Sequence, residues 1–202
     1  MTTDKRRLSP RVALIIIAAL FILPLLAAWL MYRGAIGFEP AGTRNLGELV
    51  EPPVPVELDA LVPADPARSP TTELPRHWTI VHALPTTCGA DCERVITALR
   101  QVHFAAGRDR ARLHILLVAP PGAAVDSARI EAIHPDFLLV SDADGRLLGT
   151  LARIAGDADA TGHTYLLDPL GNIMLHYRAG YDPNDVKKDL KRLLTWSKLD
   201  EQ

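Results

Sequence analysis

Two cysteines, Cys88 and Cys92, stand in the stretch PTTCGADC, and the 202-residue sequence contains no others. Such a C-x-x-x-C pair can close as a structural disulfide, cycle between dithiol and disulfide, supply two soft thiolates to a metal ion, or pack as two small apolar side chains. On a helix, residues four apart share one face, so both sulfurs can aim at one ion or bond to each other. A further candidate ligand, His163, lies far downstream in the run TGHTYLLD. Two thiolates and one imidazole suit copper as Cu(I) or Cu(II), and Cys and His also bind zinc. Three ligands leave the ion open to exchange, which favours delivery, whereas a structural zinc normally takes four.

These residues must be positioned by the elements around them. The run WTIVHAL (78–84) reads as a strand, and the helical spacing of Val95, Leu99 and Val102, stopped by Gly107, predicts a helix just after the cysteines. LHILLVA (113–119) reads as a strand buried on both faces, Asp126 caps a short helix through Ile133, and FLLVS (137–141) is a third strand. A turn at 142–145 introduces the helical RLLGTLARIAG. HTYLLD and IMLHYRAG flank the turn Pro169–Asn172 as a hairpin, and Asp182-Pro183 starts a last helix through Trp196. The order βαβαβαββα is that of a thioredoxin-like α/β fold, a central mixed sheet flanked by helices. In such a sheet the cysteine loop lies at the carboxyl edge, with Cys88 near a helix N-terminus that favours thiolate.

The run VALIIIAALFILPLLAAWLM, Val12–Met31, holds twenty uncharged residues and is long enough for a transmembrane helix. It is longer than the apolar core of a cleaved signal peptide, and bulky residues follow Ala27-Ala28. Lys5, Arg6, Arg7 and Arg11 precede it and Arg33 follows, which predicts residues 1–11 in the cytoplasm and everything after Tyr32 outside. Eight prolines between residues 34 and 75 predict a semi-rigid linker over 32–74, in which 45–58 is apolar enough to add an edge strand or dock, followed by the folded domain 75–202. With 22 basic against 24 acidic residues, there is no electrostatic footprint for nucleic acid.

From Trp78 onward the chain resembles the SCO/SenC family of copper-binding cytochrome c oxidase assembly proteins. The resemblance rests on Cys88-Gly-Ala-Asp-Cys92, on His163-Thr-Tyr-Leu-Leu-Asp-Pro-Leu-Gly-Asn172 and on the membrane anchor. Gly89 and Glu93 stand where that family usually carries proline, and Gly162 where it carries aspartate. The resemblance implies one copper ion held by Cys88, Cys92 and His163. It also implies a role in building the copper centre of oxidase subunit II, alone or with other assembly factors, by metal delivery or by reducing that subunit's cysteines. The expected location is the inner membrane with the domain in the periplasm.

Two other readings stay open. One is a tethered thiol-disulfide oxidoreductase in which Cys88 attacks and Cys92 resolves; the other is a structural assembly factor whose cysteines form an inert bridge. Thioredoxin-type reductases use C-x-x-C and carry a cis-proline where His163 stands here. His82, His103 and His176 are expected to be structural or solvated, His77, His114 and His134 belong to no motif, and Met174 is expected in the core. Asp91 reads as an acidic surface residue.

Overall fold

The computed structural model describes residues 9–33 and 44–197, in two compact units. The first is helix α1, Pro10–Tyr32, capped by the Ser9 hydroxyl, which accepts from the Val12 amide. Its apolar side chains are exposed along most of its length, and it is long and apolar enough to cross a membrane. Pro24 lies inside it, which is tolerated in a spanning helix.

The second unit begins at Arg44. Its elements are β1 (Glu48–Pro55), β2 (Val62–Pro63), α2 (Pro70–Glu73), β3 (Trp78–Ala83), α3 (Ala90–Ala105), a 3-10 turn (Gly107–Arg112), β4 (Leu113–Ala119), α4 (Ser127–Ile133), β5 (Leu138–Ser141), α5 (Arg146–Ala155), β6 (Thr164–Leu167), β7 (Asn172–Tyr177) and α6 (Pro183–Trp196). One seven-stranded sheet has the order β1-β7-β6-β3-β4-β5-β2. Strands β3, β4 and β5 are parallel, and the other pairings are antiparallel. The predicted succession of strands and helices after residue 75 is present, and the fold is thioredoxin-like.

The expected linker is where sequence and structure differ: residues 44–74 belong to the folded unit, because β1 and β2 complete the two edges of the sheet. Prolines 52, 53 and 55 cannot donate to a ladder, which confines such a strand to an edge, and the β1–β7 register shifts between Leu49 and Val54. Asp189, buried on α6, fastens this segment. Its Oδ2 accepts from the amides of Leu46 (2.8 Å) and Gly47 (2.9 Å) and from the Tyr177 hydroxyl (3.0 Å). The Arg192 guanidinium donates to the Arg44 carbonyl.

Alternation along the strands sorts side chains into two cores. Trp78 and Ile80 of β3 and the following Leu84 join Ile96 and Leu99 of α3 and Val186, Leu190 and Leu194 of α6 on one face. Val81 and Ala83 join Leu147 and Leu151 of α5 and Tyr165 of β6 on the other. All six residues of β3 are buried, as a central strand covered on both faces requires.

Candidate functional site

The cysteine loop leaves β3 at its carboxyl edge. The Leu84 amide donates to the Val118 carbonyl (2.8 Å), and Thr87 forms a parallel bridge with Ala124, so the loop is held from the β4 side before Gly89 caps α3. Cys88 then precedes the helix and Cys92 lies in its first turn. Their sulfurs form a disulfide, with Cα atoms 5.2 Å apart. Cys92 is only 8% exposed and belongs to the α3/α6 core, whereas Cys88 is half-buried against it. Of the two cysteines, Cys88 is the more exposed.

The free amides and dipole at the start of α3 favour a thiolate there. Asp91 and Glu93 in the same turn oppose this effect, but each is matched by an arginine. Asp91 pairs with Arg94, and Glu93 with Arg129 (2.8 Å). Gly89, in a place where the resembling family has proline, has an ordinary extended backbone (φ -93°) and open space around it.

On the cysteine face of β3, near the same edge, lies a polar chain that no motif announced. His82 Nδ1 is 2.8 Å from the Thr164 hydroxyl, which donates to the Tyr181 hydroxyl at 3.0 Å. Burial pushes His82 down to about 4, so it is neutral at ordinary pH, and burial pushes the Tyr181 phenol up to about 12. Strand alternation at 80, 82 and 84 was the only sequence signal for the direction in which His82 points.

His163 lies one residue before β6. Its carbonyl accepts from the Ala83 amide (3.1 Å), so its backbone sits beside the strand that leads to the cysteines. Its ring turns the other way. It lies nearly parallel to the His176 ring (7°) and to Tyr165 (22°), in the α5 core. Its Nδ1 is 2.8 Å from His176 Nε2, and its Nε2 is 3.2 Å from Asp157 Oδ2. His176 Nδ1 in turn faces Glu48 (3.6 Å), which pairs with Arg178 (2.8 Å), and Arg178 approaches Asp157 at 3.7 Å. The Arg178 hydrogen bond holds the Glu48 carboxyl below the usual carboxylate range, and burial lowers His176. Gly162 has φ +77°, a left-handed value that favours glycine, and an added Cβ would come within 3.3 Å of Ala179. A side chain at this position would therefore be strained.

The structure thus joins Cys88 to Cys92 but does not bring His163 to them, because its ring occupies the opposite face of the sheet. Among the described residues no group of three or more His, Cys, Asp or Glu side chains is arranged to hold a metal ion. The residues in this arrangement do not form a three-ligand copper site. The remaining histidines are accounted for locally. His103 approaches His134 (3.3 Å) and the Leu113 carbonyl (3.2 Å), and His77 stacks edge-on against His114. Met174 packs against the α3/α6 core.

The copper-bound ScoI of Arabidopsis thaliana superposes with a TM-score of 0.52 at 15% identity, over 75% of this chain and 99% of that one. Yeast Sco1 with copper bound gives 0.52 at 16%, over 77% and 96%. The thioredoxin domain of a thiol-disulfide oxidoreductase from Bacteroides vulgatus gives 0.47 at 14%, over 75% and 99%. At these identities the likeness shows the fold alone. No curated protein matches the sequence. The family described as transmembrane-like, thioredoxin-like, C-terminal domain matches residues 78–197. Since that match covers more than half of the sequence, the chain belongs to the transmembrane-like, thioredoxin-like family.

Proposed function

We propose that the protein is a membrane-tethered thiol-disulfide exchanger whose Cys88–Cys92 couple acts on cysteines of an exported partner. The observation that carries this reading is the bridge itself: two cysteines joined at a helix N-terminus, one half-exposed and one buried. In the reducing direction, the Cys88 thiolate attacks a partner disulfide, forms a mixed disulfide and releases one partner thiolate. Cys92 then attacks Cys88 Sγ, the intramolecular bridge closes, and the second partner thiolate leaves. Two electrons pass to the partner, and an upstream dithiol donor restores the reduced pair. The partner that the SCO-like resemblance suggests is cytochrome c oxidase subunit II, whose copper-centre cysteines must be reduced before metal enters. The setting is the cytoplasmic membrane, with the basic N-terminus inside and the domain in the periplasm, where a disulfide can persist.

A second reading keeps copper. Two copper-bound proteins share the fold, and the reduced pair would offer two thiolates, with His163 as the third ligand only if its ring leaves His176 and Asp157. One preparation separates the readings. The full chain in detergent is reduced, titrated anaerobically with Cu(I) beside His163→Ala, and equilibrated against thiol buffers. The exchange reading expects a Cys88–Cys92 potential well above about -300 mV, and Cys88→Ser should abolish turnover of a disulfide substrate; a potential below that value marks an inert bridge. Stoichiometric Cu(I) binding that weakens in His163→Ala would transfer the conclusion to copper.

A further inference from the structure

Helices α3 and α6 both run away from the disulfide, because β7 is parallel to β3 and each helix starts at the same sheet edge. Their far ends are joined. The Arg112 guanidinium donates to the Leu194 carbonyl (3.2 Å) and the Ser197 carbonyl (2.9 Å). This end carries apolar surface that packing does not explain: Trp196 is 85% exposed, the most of any large hydrophobic side chain described, and Phe104 is 47% exposed.

Three exposed arginines cluster there. Arg100 and Arg110 each hold a guanidinium 5.2 Å from the Phe104 ring, and Arg108 is exposed beside them in the 3-10 turn. Among the described residues no ion pair joins any of the three to a carboxylate, and they gather around one exposed ring. A hollow of about 350 Å³ adjoins them, lined by Arg108, Arg110, His103, His114 and Asp136, with room for a phosphate. Arginines around exposed aromatic rings are the composition of a membrane interface, and each cation near an anionic surface strengthens attachment about fivefold.

The tether decides which partner this face meets. The chain re-enters the folded unit at Arg44, whose carbonyl is held by Arg192, one turn before Trp196. From Arg33 to Arg44 the chain reaches at most ~40 Å, so a bilayer is always within range at high effective concentration. We propose that Phe104, Trp196, Arg100, Arg108 and Arg110 form a contact surface for anionic lipid headgroups. The disulfide is then presented away from the membrane, since Cys92 to Phe104 spans ~18 Å of helix. The proposal rests on α1 spanning a bilayer and is independent of the thiol chemistry.

The test is amide hydrogen exchange on the full chain in lipid nanodiscs of phosphatidylcholine alone and of phosphatidylcholine with phosphatidylglycerol. In the anionic discs, amides 104–112 and 194–197 should exchange about fivefold or more slowly. The protection should fade in high salt and in Arg108→Glu/Arg110→Glu, while β3 and β4 stay protected and so report an intact fold. Equal exchange in the two bilayers, with the chain retained in the discs, overturns the lipid contact alone. Protection that appears only on adding an acidic protein also overturns it. A chain released from the discs by an alkaline wash would take down the anchor and the proposal together.

Discussion

At the carboxyl end of β3 the two faces of one sheet hold opposite kinds of chemistry. On the α3 face the Cys88–Cys92 bridge lies at a helix start, with Cys92 buried and Cys88 only half-buried. On the α5 face His163 belongs to a ring of Asp157, His163, His176, Glu48 and Arg178 in which each group already has a partner. Groups whose hydrogen bonds are all met stabilise a fold, whereas a group with an open coordination or bond-exchange position reacts. The faces differ by one step of strand alternation: Thr164 points to the cysteine side and His163 to the other.

The comparison can be broken in three ways, from the largest effect to the smallest. Acid should act first. His82 and His114 stay neutral down to about 4, and burial also lowers His103, His134 and His176, while unfolded histidines take protons near 6.5. The unfolded chain then binds more protons, so stability present above pH 6.5 is lost as pH falls towards 4. His82 alone contributes about 3 kcal/mol across that window. Urea unfolding at several pH values measures this, and a pH-independent midpoint would show that the buried neutral histidines, on both faces, do not contribute this stability.

Reduction comes next. The bridge closes a short loop, with sequence separation 4, so cutting it should cost about 2 kcal/mol and leave the domain folded. If dithiothreitol unfolds the protein at room temperature, the cysteine face is a staple, and the contrast between the faces disappears. The smallest effect is expected from His163→Ala, which should lower stability by about 1–2 kcal/mol through the lost partners of His176 and Asp157. Its thiol-exchange rate should equal that of the unaltered chain, and a tenfold fall would mean that the two faces communicate.

Much of the fold was legible in the sequence. The alternation of β-branched runs with helical spacing, the caps Asp126 and Asp182, and the turn at Pro169–Asn172 marked their elements closely. The cysteine loop was legible because Cys88 and Cys92 are alone in the chain. Residues 45–58 suggested at most an edge strand, since prolines signal a spacer equally well, and only pairing with β7 decides between them. His163 was misplaced relative to the cysteines for a different reason. Its backbone is where a ligand would be, but one step of strand alternation from Thr164 turns its ring to the α5 face, a register that only the pairing of β6 with β3 fixes. Thr164 stood in the resembling run only as a neighbour of His163 and Tyr181 in no motif, because their role arises from contacts across strands.

The Asp189 fastening has a mechanical consequence. Any tension in the tether arrives at Arg44, and the first noncovalent links it meets are the Asp189 carboxylate, the Leu46 and Gly47 amides and Arg192, all anchored on α6. The load path therefore enters the last helix of the domain and bypasses the loop that carries the cysteines. A pull on the chain ahead of Arg44 is thus taken up by α6 and the β1 edge before it reaches the disulfide.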